Sequence, residues 1–491
     1  MKHHTDSAPA RRGTHRHIAA QPATAAPHAA NPSRAAGTSA PRGLEDKIAW
    51  VAIGDLKPFP GNPRRHPEEQ IARLMRSMER VWTSPILIDE TRTILAGHAR
   101  LEAAKRLGRG EVPTLTIAGL SAAEKRAVVI ADNRLPEQAV WDFDLLREHF
   151  KQLIEIDFDV ERTGFSTGEI DLVLDGKPAP AATDPADDLT GLDEAPAVSR
   201  PGDVWELGRH RLICGDASHD TSYQALLHGD FAQMIVADPP YNVPINGHAV
   251  GRGKTRHREF TMAAGEMSEE AYTAFLGSFI RNAIAFSANG SIHYLFIDWR
   301  HLPELLAAAR PLYLQWKNLL VWNKNNAGQG SFYRSKHELI GVFKNGSAPH
   351  INNFGLGGKG RHRSNVLDYP SVNCLHPARR GELDLHPTVK PVALIADLIR
   401  DCSRRNGIIL DPFGGSGTTI LAAERTGRTA RVIELDPLYV DLAVRRCEKT
   451  TGIVARHAEL GLNLTDLAEQ RATPELSCEL RDPEVVPSSE N

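Results

Sequence analysis

Two short loops constrain this chain more than any other feature. They are Asp238-Pro239-Pro240-Tyr241 and Asp411-Pro412-Phe413-Gly414-Gly415-Ser416-Gly417-Thr418-Thr419, and each follows an apolar run. The first comes directly after Met234-Ile235-Val236-Ala237, the second after Ile408-Ile409-Leu410. Short apolar runs bounded by Pro and Gly read as strands buried on both faces. The second loop also opens into an apolar-periodic stretch, which makes it a strand–loop–helix junction. In open α/β sheets, ligands bind at the carboxyl ends of the strands. The expected fold class is therefore α/β with a Rossmann-like sheet, with both loops at strand ends.

Punctuation divides the rest. At 491 residues the chain has room for two or three domains. Residues 1–43 are rich in Ala, Pro, His, Thr and Arg. With hardly a large apolar side chain they cannot offset their ordering entropy, and a disordered tail is expected. Residues 176–200 combine Lys177-Pro178-Ala179-Pro180 with Asp184, Asp187, Asp188, Asp193 and Glu194, which predicts a self-repelling, extended linker. A flexible tail is expected over 471–491. Two folded units remain, a smaller one over 44–175 and a larger one over 201–470.

The bulk properties exclude more than they identify. A net charge of −3 means that contact with a polyanion must come from local basic patches. Cys214, Cys374, Cys402, Cys447 and Cys478 are scattered without a CxxC pair, so neither a metal site nor a disulfide framework is expected. No apolar run approaches the length of a membrane span, so no membrane partner is expected. The first residues lack the apolar core of a secretory signal, and a cytoplasmic location is the expectation.

One loop suited to grip a planar amine, followed by one suited to cradle an adenosyl group, resembles the DNA amino-methyltransferases of the permuted (β) class. In that class the catalytic motif precedes the cofactor motif. The resemblance implies DNA as substrate and S-adenosylmethionine as cofactor. An exocyclic amine is a poor nucleophile because its lone pair is delocalised into the ring. Asp238 and the carbonyl of Pro239 are the candidate acceptors for its two hydrogens, Pro240 stiffens the turn, and Tyr241 is placed to stack on a base that has left the duplex. On the cofactor side, Phe413 faces the adenine or sulfonium region, while Gly415 and Gly417 allow close backbone approach at a helix start. Asp411 is placed to meet the methionine amino group. Glu434, ending Ala430-Arg431-Val432-Ile433 seventeen residues beyond Gly417, is the candidate ribose partner. Alone, the glycine pattern would also suit NAD. Asp216 matches the family residue at the adenine, and in His386-Pro387-Thr388-Val389-Lys390-Pro391 the resemblance puts Thr388 and Lys390 near the methionine carboxylate.

Two basic segments are candidates for DNA contact. One holds Arg252, Lys254, Arg256 and Arg258; the other, in the family's target-recognition position, holds Lys359, Arg361 and Arg363. Aspartate at position 238 leans towards adenine in the family and serine towards cytosine, so adenine N6 methylation in DNA is the leading expectation. Cytosine N4 methylation is the alternative, and a restriction–modification context is implied.

The smaller unit has a signature of its own. Ile71, Leu74, Met75 and Met78 recur at helical spacing, Pro85-Ile86-Leu87-Ile88 and Thr93-Ile94-Leu95 read as a hairpin, and Gly97-His98-Ala99-Arg100 feeds a helix ending at Gly108. This order resembles the α+β ParB-like domain, in which the glycine turn and its arginines bind nucleotide phosphates. Here the family's Gly-Glu-Arg-Arg has become Gly97-His98-Ala99-Arg100, losing the acid and one arginine. A nucleotide is the partner this domain would take. A non-enzymatic DNA-binding partition protein is the rival reading, and a homodimer is consistent with either.

Overall fold

The computed structural model describes residues 48–176, 184–189, 192, 196–243, 265–325, 327, 332–355, 362–372 and 389–472. The chain divides into two units: the smaller is built from 48–64, 84–101 and 109–133, the larger from 65–83, 102–108 and the chain beyond 134.

The smaller unit has four strands, β1 (Ala49–Ala52), β2 (Ile86–Ile88), β3 (Ile94–Ala96) and β4 (Glu111–Thr116), in the order β1-β4-β2-β3. β2 and β3 form the expected antiparallel hairpin. Its turn is tied by Asp89, whose Oδ1 accepts the N–H groups of Thr91 at 2.8 Å and Thr93 at 2.9 Å. Helix α1 (Glu68–Met78), which belongs to the larger unit, and α2 (His98–Arg106) form where the sequence placed them, and α3 (Ala122–Arg134) follows β4. Gly97 enters α2 with φ +98°, a left-handed value that suits glycine. His98, standing where the ParB-like pattern has an acid, accepts the Phe59 N–H at Nε2 (3.2 Å). Arg100 folds back, Nη2 donating to the Pro85 carbonyl at 3.2 Å, while its Nε is buried without a partner.

The larger unit begins its main body with α4 (Phe143–Glu155) and α5 (Thr167–Asp175). Its sheet takes β5 (Val204–Leu207), β6 (His210–Cys214), β7 (Ala232–Ala237), β8 (Ser287–Ile297), β9 (Gln315–Asn323), β10 (His337–Lys344), β11 (Val366–Asp368), β12 (Ile408–Asp411), β13 (Thr429–Glu434) and β14 (Arg456–His457). The order is β11-β9-β10-β8-β7-β12-β13-β6-β5-β14, with β8, β7, β12, β13 and β6 mutually parallel. Helices α6 (Asp220–Leu227), α7 (Glu269–Ala285) and α8 (Leu302–Ala309) cover one face. Helices α9 (Val392–Cys402), α10 (Thr418–Thr426), α11 (Pro437–Thr451) and α12 (Leu464–Ala472) contribute to the core of the other. In β7, Met234 and Val236 enter one core while Ile235 and Ala237 enter the other. Burial on both faces is why that run is continuously apolar.

The structure departs from the expected layout near residue 175. Helix α5 does not end a tethered domain: Asp171 makes a two-pronged pair with Arg428, at 3.0 and 2.8 Å, in which both side chains are buried. Asp175 pairs with Arg400 at 2.7 Å. The described part of the expected linker is likewise built in. Asp184 pairs with Arg425, the Asp187 carboxylate accepts the Val392 N–H at 2.9 Å at the start of α9, and the Ala186 carbonyl accepts from Arg446. Those acids find arginines more than 200 residues away in the chain, so they do not repel one another into an extended strand.

Candidate active site

The carboxyl ends of β6, β7, β12 and β13 open into one cleft, lined by Asp216, Asp238, Pro239, Pro240, Tyr241, Lys390, Phe413, Gly415, Glu434 and Asp436 among others. β7 and β12 are adjacent, so the two loops picked out in the sequence face each other across neighbouring strand ends. The second loop is braced from behind. Arg446, buried, donates to the Ser416 carbonyl at 3.1 Å and to the Thr418 hydroxyl at 3.0 Å. Gly417, with φ +80°, caps α10, and a side chain there would meet the Ala443 Cβ at 2.9 Å.

Each carboxylate is held in place. Glu434 accepts the Gly415 N–H at 2.7 Å and the Asp436 N–H at 2.9 Å, one on each oxygen. Burial pushes its carboxyl up to about 7 even against those two N–H groups. Asp411 accepts the Phe413 N–H at 2.9 Å and the Thr419 hydroxyl at 2.5 Å, and burial pushes it up to about 8. Asp216 accepts the Ser218 N–H at 2.7 Å. The Phe413 ring stands edge-on to Phe279 with centroids 4.9 Å apart.

The Asp-Pro-Pro-Tyr turn is rigid. Asn242 follows it in the left-handed region and ties it to the start of α7, accepting from the Gly265 and Met267 N–H groups and donating to the Met267 carbonyl. Tyr272 donates to the Pro240 carbonyl at 2.9 Å. Asp238 keeps 24 % of its side chain exposed and accepts the Tyr241 hydroxyl at 2.6 Å. Its other oxygen pairs with Lys390. Burial raises its carboxyl, with Lys390 pulling the other way.

Lys390 is where expectation and structure differ most. Its ammonium sits between Asp238 and Glu338, over the rings of Tyr241 (5.5 Å) and Phe296 (5.3 Å). Arg363 also differs from the expectation of a DNA contact. Its Nε and Nη1 are spent on Asp401 at 2.8 Å and Asp397 at 2.9 Å, because α9 presents both acids one turn apart. Thr388, Arg252, Lys254, Arg256, Arg258, Lys359 and Arg361 lie outside the described residues. Sequence reading missed Glu338, Lys324, Tyr272 and Asn242. The one available signal was Glu338 itself, an acid at the head of the apolar run Leu339–Phe343.

Among the described lining residues Asp216, Asp238, Glu434 and Asp436 face one lysine, Lys390, so the cleft suits a cation and disfavours a pyrophosphate. Residues 232–445 match the family profile described as DNA methylase, of the N6/N4 type. Residues 144–201 match the ParB-methyltransferase HTH domain, a segment that crosses the boundary expected at 175. The chain carries a DNA methylase domain of the N6/N4 type.

The chain also has named relatives. It is 26 % identical over 272 residues to the type II methyltransferase M.ScaI of Streptomyces caespitosus, covering 48 % of this chain and 84 % of that protein. It is 25 % identical over 322 residues to the DNA adenine methyltransferase YhdJ of Escherichia coli, covering 56 % and 98 %. An 81-residue stretch is 40 % identical to the ParB-like nuclease domain-containing protein YnaK of Escherichia coli, covering 16 % of this chain and 93 % of that protein. Among solved structures, the M1.HpyAVI–SAM complex aligns at TM-score 0.36 and 20 % identity, over 48 % of this chain and 97 % of the other. Among the described residues no cluster of His, Cys, Asp or Glu could hold a metal ion, and no helix is long and apolar enough to cross a membrane.

Proposed function

We propose that this methylase transfers a methyl group to the N6 amine of adenine in DNA. The observation that carries the reading is Asp238, held by a rigid turn beside the cleft that ends in Glu434. S-adenosylmethionine, when bound, supplies an electrophilic methyl group on a sulfonium. The residues toward it are Glu434 for the ribose hydroxyls, Asp216 for the adenine, Phe413 against the ring or sulfonium, and Asp411 for the amino group. Glu434 suits its part because the two backbone N–H groups fix its carboxylate while each oxygen keeps a lone pair for a ribose hydroxyl.

Asp238 and the Pro239 carbonyl accept from the two amine hydrogens, favouring the pyramidal nitrogen whose lone pair is free to attack. The Pro240 carbonyl is already engaged by Tyr272, which leaves the neighbouring carbonyl as the second acceptor. Tyr241 is the stacking platform for the flipped base. Alignment of amine, methyl and sulfur provides much of the acceleration. Aspartate rather than serine at 238 favours adenine over the cytosine amine, in keeping with the relative named as a DNA adenine methyltransferase. In the ParB-like unit, the Gly97 turn and Arg100 are the proposed nucleotide contact.

Expression in a host that lacks DNA methylation, followed by sequencing that reads modified bases, tests the assignment. N6-methyladenine in a fixed sequence context is expected. N4-methylcytosine would replace the adenine reading, and unmodified DNA from a host making folded protein would remove it.

A further inference from the structure

The buried charges around Tyr241 include Glu338, to which the reaction so far gives no part. Asp238 already carries two donors, the Tyr241 hydroxyl on Oδ1 and the Lys390 ammonium on Oδ2. A target amine that donates to Asp238 must displace or share with one of them. Lys390 is only 6 % exposed, and a buried ammonium stripped of its carboxylate is strongly unfavourable.

Glu338, at the head of β10, lies within reach of both donors. Its Oε2 is 3.1 Å from the Tyr241 hydroxyl and 3.3 Å from Lys390 Nζ, and its Oε1 pairs with Lys324. Burial works against a charged Glu338, yet Lys390 and Lys324 hold its carboxyl down at about 2, so it stays ionised at working pH. Two ammonium groups therefore face two carboxylates, and the charge stays balanced whichever acid Lys390 prefers.

Resting on the methyl-transfer reading above, we propose that Glu338 is a positioning residue for the reaction. It is the acceptor that takes over Lys390 and the Tyr241 hydroxyl while Asp238 turns to the target amine. The shift is small, since closing 3.3 Å to an ordinary charged hydrogen bond moves Nζ by about half an ångström. Without a charge at 338, Lys390 has Asp238 alone and holds it more tightly.

The test compares wild type, Glu338→Gln and Glu338→Asp in single-turnover transfer from radiolabelled S-adenosylmethionine to unmethylated genomic DNA. Cofactor affinity, DNA affinity and melting temperature are measured alongside. Glu338→Gln should slow transfer at saturating DNA about a hundredfold, the scale of losing one preorganised group in comparable sites. Both affinities should stay within about twofold, because Glu338 is proposed to move the balance at Asp238 rather than to bind either ligand. Glu338→Asp, charged but one methylene shorter, should recover about tenfold of that loss.

A Glu338→Gln rate within threefold of wild type overturns the inference. So does a loss of rate matched by an equal loss of cofactor or DNA affinity, which marks a merely structural role. Should Glu338→Gln fail to fold, Glu338→Asp carries the test: about a tenfold slower rate with unchanged affinities supports the inference, and a wild-type rate ends it. Failure of wild-type protein to methylate DNA at all is a separate result, and it strikes the underlying assignment.

Discussion

Asp238, just after β7, and Glu434, at the end of β13, line one cleft with β12 between them, yet their environments differ. Asp238→Ala removes the proposed acceptor for the amine and leaves the glycine loop untouched, so methyl transfer should fall roughly a hundred- to a thousandfold. Calorimetry should find cofactor affinity close to wild type; a variant that still transfers at full rate would end the proposed role. Glu434 makes a pH-dependent prediction. Its carboxyl is pushed up to about 7 in the free protein, and in its proposed role it must be ionised to accept two ribose hydroxyls. Below that pH the free protein holds a proton that binding has to expel, so cofactor affinity should weaken as pH falls, approaching about tenfold per unit. Above it the dependence should flatten. Titrations in buffers of different ionisation enthalpy should show proton release near neutrality, and Glu434→Gln should abolish both the release and the slope while weakening binding throughout.

The glycine loop and α10 act as one element. Gly417 turns the chain in a left-handed conformation at the helix start, and its α-hydrogen side faces α11 with no room for a methyl group. Gly417→Ala should therefore destabilise the protein by about 1–3 kcal/mol, because strain and a steric clash act at the same residue. Chemical denaturation measures this, and an unchanged midpoint would mean that α11 yields more readily than its packing implies. Arg446 makes the same element depend on the chain near 186: the guanidinium that holds Ser416 and Thr418 also grips the Ala186 carbonyl.

At the scale of the whole molecule, the Asp171–Arg428 pair decides where the chain can be cut. Both partners are buried, and Arg428 also donates to the Ser403 and Thr426 carbonyls. Removing one partner of a buried pair leaves an uncompensated charge, so Asp171→Ala should cost about 3–5 kcal/mol. Pairing it with Arg428→Met should return much of that stability, and a double-mutant cycle by denaturation checks it. Truncation makes the same point. Deleting residues 1–133 keeps Asp171 and should leave DNA methylation measurable, whereas deleting 1–190 removes Asp171 from Arg428, Asp184 from Arg425 and Asp175 from Arg400 and should give an unstable protein. Equal stability of the two truncations would show that the pairs add nothing.

The sheet, the order of the two loops and the acid ending β13 could all be read from the sequence, because they rest on local signals. A run such as Met234–Ala237 is apolar throughout since both faces are covered, and glycines recur where the chain must turn tightly. Tertiary structure decided the partners. Charge in a sequence has no address: Asp184 and Asp187 looked like a repelling linker until Arg425 and the start of α9 met them, and Arg363 looked like a phosphate contact until α9 claimed it. Lys390, in the loop before α9, and Glu338, on β10, are 52 residues apart, and only the folded sheet brings both against Tyr241 and sets the charge balance around Asp238.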